Sequence, residues 1–227
     1  MNDRRHEISQ ALGEVKTRIK SAVEASHRQL AEVTLIAVTK TYPISEVKIL
    51  YDLGVRDFAE NRDREGREKS AEVDGTWHFQ GQIQSNKLPS IAKWASTVHS
   101  LDESRHVPLL AKAVPASKQV SVFIQVCLDP QPGRGGILPV LLAPLAEMVN
   151  QYPSLKLEGL MAVAPLGENP ESAFSRLASI HSNFRQQFPG SPSLSAGMSS
   201  DFEVAISHGA THLRIGSSIL GSRTYDR

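Results

Sequence analysis

Short apolar runs alternate with amphipathic stretches along almost the whole chain, and no other feature restricts the fold as strongly. The runs are Leu35 to Lys40, Asp57 to Asn61, Trp77 to Gly81, Thr97 to Leu101, Val120 to Val126, Leu157 to Ala164, Pro192 to Ala196 and Thr211 to Gly216. Helix-like periodicity fills Ile44 to Leu53, Ile83 to Trp94, Ser104 to Val114, Leu138 to Gln151, Glu171 to Gln187 and Asp201 to Ser207. Eight strands separated by helices predict an α/β protein of the (β/α)8 barrel type. A doubly wound open sheet shows the same alternation, and the strand count favours the barrel. At 227 residues the chain is a little under the typical ~250 of such barrels. Short loops and a single domain over 1–227 are therefore expected. Residues 1–33 precede the first run and read as an extra N-terminal helix, with Ile8, Leu12, Val15, Ile19, Val23 and Leu30 as its apolar stripe and Asp3 as its cap. The Pro/Gly-rich segment Asp129 to Gly136 directly follows a strand and reads as a βα loop.

Several function classes drop out on composition. A formal net charge of +1 gives no global pull toward nucleic acid or an anionic membrane. The single cysteine, Cys127, excludes an internal disulfide and a multi-cysteine metal site; a small core residue is its expected role. The greasiest stretch, Ile137 to Val149, carries Pro139, Pro144 and Glu147 and falls short of the roughly 18 apolar residues of a membrane span. The start is polar, without an apolar signal core. A cytoplasmic protein is expected. No HExxH helix, Walker loop or Gly-x-Ser-x-Gly elbow occurs.

The first strand ends in an ammonium group. Alternation puts Ile36, Val38 and Lys40 on one face. In a barrel, Lys40 then stands at the C-terminal mouth, where such folds keep their chemistry. A lysine in apolar surroundings loses its proton more readily and can form an imine with an aldehyde. A lysine snorkelling to solvent fits the run equally well. Two loops then match each other. Gly197-Met198-Ser199-Ser200 follows the seventh run, and Gly216-Ser217-Ser218 follows the eighth. Each combines bare backbone with hydroxyls, and barrels often hold phosphate between these two loops. Helix capping alone explains either one. Arg214 shares a strand face with Gly216, opposite Leu213 and Ile215, so it points into the barrel if that apolar pair packs under the helices. Asn61 ends the second run and would share the mouth with Lys40, although an amide there also suits a turn. His78, between aromatics, reads as a hydrogen-bonded core residue, and Lys87 as a solvated helix lysine.

Taken together, Ala37-Val38-Thr39-Lys40, Phe58-Ala59-Glu60-Asn61, Trp77-His78-Phe79-Gln80-Gly81, Gln84-Ser85-Asn86-Lys87, Leu157-Glu158-Gly159-Leu160-Met161, Gly197-Met198-Ser199-Ser200-Asp201 and Arg214-Ile215-Gly216-Ser217 resemble the pyridoxal phosphate homeostasis protein family. That family comprises single-domain relatives of the alanine racemase N-terminal barrel. The resemblance implies that Lys40 holds pyridoxal 5'-phosphate (PLP) covalently as an imine. It implies that Ser199, Gly216 and Ser217 hold the phosphate, that Arg214 faces the pyridine nitrogen, and that Asn61 and Met161 line the ring. Ala59, Arg62, Arg134 and Leu220 depart from the usual pattern without touching these positions. They put in doubt any shared partner or effector surface.

A guanidinium is a donor only, so Arg214 would disfavour a protonated pyridine and leave a weak electron sink. The related racemases add a second base from a further β-domain, which is not expected here. The implied function is a PLP-binding homeostasis protein, not an efficient enzyme, with apo PLP-dependent enzymes as partners and a monomeric state. A weak or narrow amino-acid racemase, with Tyr42 or His78 as the missing base, is the alternative. A cofactor-free Schiff-base lyase holding a sugar phosphate is a third reading.

Overall fold

The computed structural model describes residues 2–129, 131 and 134–221, so residues 130, 132 and 133 of the expected loop Asp129 to Gly136 lie outside the described residues. Eight parallel strands close into a barrel in sequential order. They are β1 (Thr34–Val38), β2 (Asp57–Glu60), β3 (Thr76–Phe79), β4 (Thr97–Leu101), β5 (Val120–Gln125), β6 (Leu155–Met161), β7 (Ser193–Ser195) and β8 (His212–Ile215). The helices are α1 (Asn2–Ala25), α2 (Ile44–Asp52), α3 (Asp63–Ser70), α4 (Leu88–Trp94), α5 (His106–Ala113), α6 (Leu142–Asn150), α7 (Pro170–Gln187), α8 (Phe202–Ser207) and α9 (Ser217–Leu220). The period-2 alternation of the strands sorts their side chains as expected. Ala37, Phe58, Trp77, Phe79, Val98, Val122, Ile124, Leu160, Leu194, Leu213 and Ile215 face outward and join the helices in one large core. Ile36, Val38 and Ala59 form a separate apolar cluster inside the barrel. Barrel interiors of this class are usually filled by branched aliphatic residues. Beside them this interior carries histidines, Ser195, Arg214 and Phe123, whose ring stacks on His99 with centroids 4.6 Å apart.

Helix α1 buries Ile8, Leu12, Val15, Ile19 and Val23 against α8 and α9. It begins by Asn2, so Asp3 lies within the first turn and not at the cap position. It ends at Ala25, and Leu30 is 53 % exposed in a 3-10 turn beyond it. That turn breaks the apolar stripe the periodicity had extended. Arg18 ties the helix down by pairing with Glu203 and lying 4.5 Å over the Phe202 ring.

Helix α3 has no counterpart in the sequence reading. Its residues, Asp63 to Ser70, are almost all polar, so no apolar period marks it. It docks by two unusual means. Gly66 lets the backbone meet the Trp94 ring, where a Cβ would come within 2.3 Å of the indole. Lys69 is buried in an ion pair with Glu60.

Candidate functional site

The C-terminal ends of the neighbouring strands β7, β8, β1 and β2 form one arc of the barrel mouth. Thr39 donates its backbone N–H to the Ala59 carbonyl at 3.0 Å, which carries the β1–β2 pairing up to Lys40. Lys40 is half-buried, two residues beyond the inward-facing Val38. The residues on either side of it are fixed. Lys69 Nζ donates to the Thr39 carbonyl at 2.8 Å and to Glu60 Oε1 at 2.6 Å. The Thr39 hydroxyl donates to the same Glu60 oxygen at 2.6 Å. On the far side, the Thr41 N–H donates to Glu65 Oε2 at 2.7 Å, and Thr41 holds a left-handed φ of 70°. Burial raises the Glu60 carboxyl, and the hydrogen bond and charge of Lys69 oppose this. The polar helix α3 thus serves as the clamp behind Lys40. Sequence reading missed this clamp. The available signal was Glu60, an acid on the same outward parity as the apolar Phe58.

Asn61 follows β2, and its Oδ1 is buried without a hydrogen-bond partner. Met161 is buried at the end of β6 and pairs in register with Gln125 and Ser195. The two serine loops do converge. Ser199 Oγ accepts the backbone N–H groups of Gly216 at 3.3 Å and Ser218 at 3.2 Å, and the Ser218 hydroxyl donates to the Ser199 carbonyl. These are long contacts for N–H···O bonds. A Cβ on Gly216 would come within 3.1 Å of the Val38 carbonyl, so bare backbone is what lets this loop approach β1. Ser217 is exposed at the first position of α9.

Arg214 points inward and is 4 % exposed. One Nη donates to Ser195 Oγ at 2.5 Å and the other to the Ala162 carbonyl at 2.9 Å. Burial pushes its pKa down to about 10, with Asp201 opposing the shift, so it stays cationic at neutral pH. Behind it runs a buried chain. His99 Nδ1 lies 2.8 Å from Ser195 Oγ, His99 Nε2 2.8 Å from His78 Nδ1, and His78 Nε2 3.2 Å from Asp57 Oδ1. Charges fix its polarity. The guanidinium can only donate and the carboxylate can only accept. With neutral imidazoles, His78 donates from Nε2 to Asp57, His99 donates from Nε2 to His78, and the Ser195 hydroxyl donates to His99 Nδ1. Burial, joined by the neighbouring His78, Arg214 and His212, holds His99 well below the usual imidazole range. His212 is pushed down to about 4, mainly by burial. Arg214 therefore has two neutral rings, His99 and His212, beside it. Sequence reading placed His78 correctly in the core but missed His99, Ser195 and Asp57. Their inward parity on β4, β7 and β2 was the available signal.

Neither candidate for a second base is poised as one. The Tyr42 hydroxyl donates to the Gly221 carbonyl at 2.6 Å. Both nitrogens of His78 are engaged inside the barrel. Cys127 is half-buried, not a core residue, and its Sγ lies 3.0 Å from the Asp129 carbonyl.

The closed barrel is that of the alanine racemase N-terminal domain, whose family model matches residues 12–224. The pyridoxal phosphate homeostasis protein of Mycobacterium tuberculosis (strain H37Rv) is 38 % identical over 97 % of this chain and 95 % of its own length. Its Escherichia coli counterpart is 35 % identical over the full length of both. PipY of Synechococcus elongatus, solved with PLP bound, superposes with a TM-score of 0.82 at 29 % identity, covering 94 % of this chain and all of that one. The chain belongs to the pyridoxal phosphate homeostasis protein family.

Proposed function

We propose that this protein binds PLP through Lys40 and serves vitamin B6 and amino-acid homeostasis as a carrier, not as an efficient amino-acid enzyme. One observation carries the reading: a strand-end lysine, a buried amide oxygen without a partner, and two backbone N–H groups on one serine hydroxyl share a single barrel mouth. These residues fit an anionic aldehyde with a polar ring. The names of the relatives and the PLP-bound neighbour support the same ligand.

When bound, PLP supplies an aldehyde that an amine can capture and a ring that can accept electrons. Lys40 supplies the amine, on a backbone clamped at Thr39 and Thr41. Ser199, Gly216 and Ser217 hold the phosphate, with backbone N–H groups suited to an anion. Asn61 and Met161 line the ring. Arg214 faces the ring nitrogen with N–H donors and no proton to lend at neutral pH. With the Tyr42 hydroxyl on Gly221 and His78 held inside the barrel, neither of these two groups stands ready to exchange a proton on the second face. Retention is thereby favoured over turnover. The whole chain acts as one PLP-binding unit, monomeric and cytoplasmic, that limits free PLP and passes it to apo-enzymes.

The spectrum of the protein as purified tests this. A visible band, bleached by borohydride with the added mass mapped to Lys40 and lost in Lys40→Ala, is expected. A colourless protein that takes up no PLP would refute the ligand. Rapid solvent-deuterium incorporation into any of a panel of amino acids would refute the carrier role.

A further inference from the structure

Away from the pocket just described, His106 presents a separate problem. It opens α5, four residues after Asp102, and is completely buried. Neither Nδ1 nor Nε2 has a hydrogen-bond partner. Buried polar groups are almost always satisfied, and an exception needs a reason. Within the same turn, one ring nitrogen of His106 and one carboxylate oxygen each from Asp102 and Glu103 lie within 4.8 Å of one another. The imidazole makes no hydrogen bond to either acid. The separation instead suits three ligands around one ion. Metal–ligand bonds of about 2.0–2.2 Å in a tetrahedral site place ligand atoms roughly 3.4 Å apart, inside the span these three atoms already occupy.

The surroundings hold the acids in place. Asp102 Oδ2 accepts the Gly136 N–H at 2.9 Å, which fixes the carboxylate against the loop after β5. Glu103 is exposed and accepts from Arg105 Nε at 2.5 Å, so an incoming ion competes only with a surface pair. Two carboxylates balance a divalent charge, and the neutral imidazole completes a nitrogen–oxygen donor set. Such a set suits zinc and its neighbours. Calcium and magnesium prefer oxygen alone.

We propose that Asp102, Glu103 and His106 form a binding site for a divalent transition ion of the Zn2+ class. The site lies at the end of β4, on the same face of the barrel as Lys40. Three protein ligands leave a further position for water. Through the Asp102–Gly136 hydrogen bond, the ion links the start of the loop after β4 to the far end of the loop after β5.

Calorimetric titration of the full chain with ZnCl2 in a MgCl2 background tests the assignment. One equivalent should bind. Losing even an outer-shell partner weakens metal sites by about 10- to 100-fold, so Asp102→Asn and His106→Ala should each weaken binding at least tenfold. Glu103→Gln changes an exposed residue, so it keeps the test open if the buried variants do not fold, and it should also weaken binding. Crystals grown with ZnCl2 should show an anomalous peak at the zinc edge between the three side chains. Failure to bind at millimolar ZnCl2 would overturn the proposal. So would binding that survives all three substitutions, or a water molecule with no anomalous signal against His106.

Discussion

Replacing Lys69 by methionine isolates the clamp behind Lys40. Glu60 is 0 % exposed, and its Oε1 accepts from Lys69 and Thr39 while Oε2 has no partner. Lys69→Met leaves that carboxylate buried without its counter-charge, which costs about 3–5 kcal/mol for pairs of this kind. For a domain of this size each kcal/mol shifts the melting temperature by about 2–4 °C. The expected drop is therefore roughly 6–20 °C, with a lower denaturation midpoint at unchanged slope. Adding Glu60→Gln should recover at least half of the loss, because removing the charge removes most of the penalty. The effect must also depend on pH. Burial already raises the Glu60 carboxyl, and Lys69 is the main group opposing that rise. Without Lys69 the folded value climbs further above the unfolded one. The penalty is then full above the folded value and is relieved as pH falls through it. The deficit against wild type should be smaller at pH 5 than at pH 8. A deficit under about 1 kcal/mol, or one equal at both pH values, would refute the clamp as an electrostatic device.

Two further outcomes follow from the barrel interior. Ser195→Ala strips the acceptor from Arg214 and the partner from His99 Nδ1, so it should destabilise the fold by about 1–3 kcal/mol, read by urea denaturation, whereas Ser217→Ala at the exposed rim should not. His99, His181 and His212 all sit below the usual imidazole value, chiefly through burial, the last two at about 4. Their unfolded forms bind protons first, so their contribution is intact above about pH 6.5 and is lost as pH falls toward about 4, at up to about 1.4 kcal/mol per pH unit for each. Midpoints measured from pH 7.5 to 5 should fall, and His181→Gln should flatten the slope.

The barrel was legible because its determinants are local. Strand alternation and loop length act within a few residues, and the outward set of Phe58, Trp77, Val98, Ile124, Leu160 and Leu213 became the core that periodicity required. Lys40, Ser199, Arg214 and Gly216 stand out in the sequence because each breaks a local rule: a charge ending an apolar strand, an arginine within another, glycine and serine where a helix begins. Helix α3 was not legible, since Asp63 to Ser70 has no apolar face and docks through Gly66 on Trp94 and Lys69 on Glu60. Only tertiary structure could decide that Lys69, thirty residues after Thr39, reaches its carbonyl, or that Ser195, His99, His78 and Asp57 form one chain behind Arg214. Hydrogen bonds and ion pairs of this kind depend on closure of the barrel. Closure brings strands far apart in sequence within bonding distance, and no pattern along a single strand encodes it.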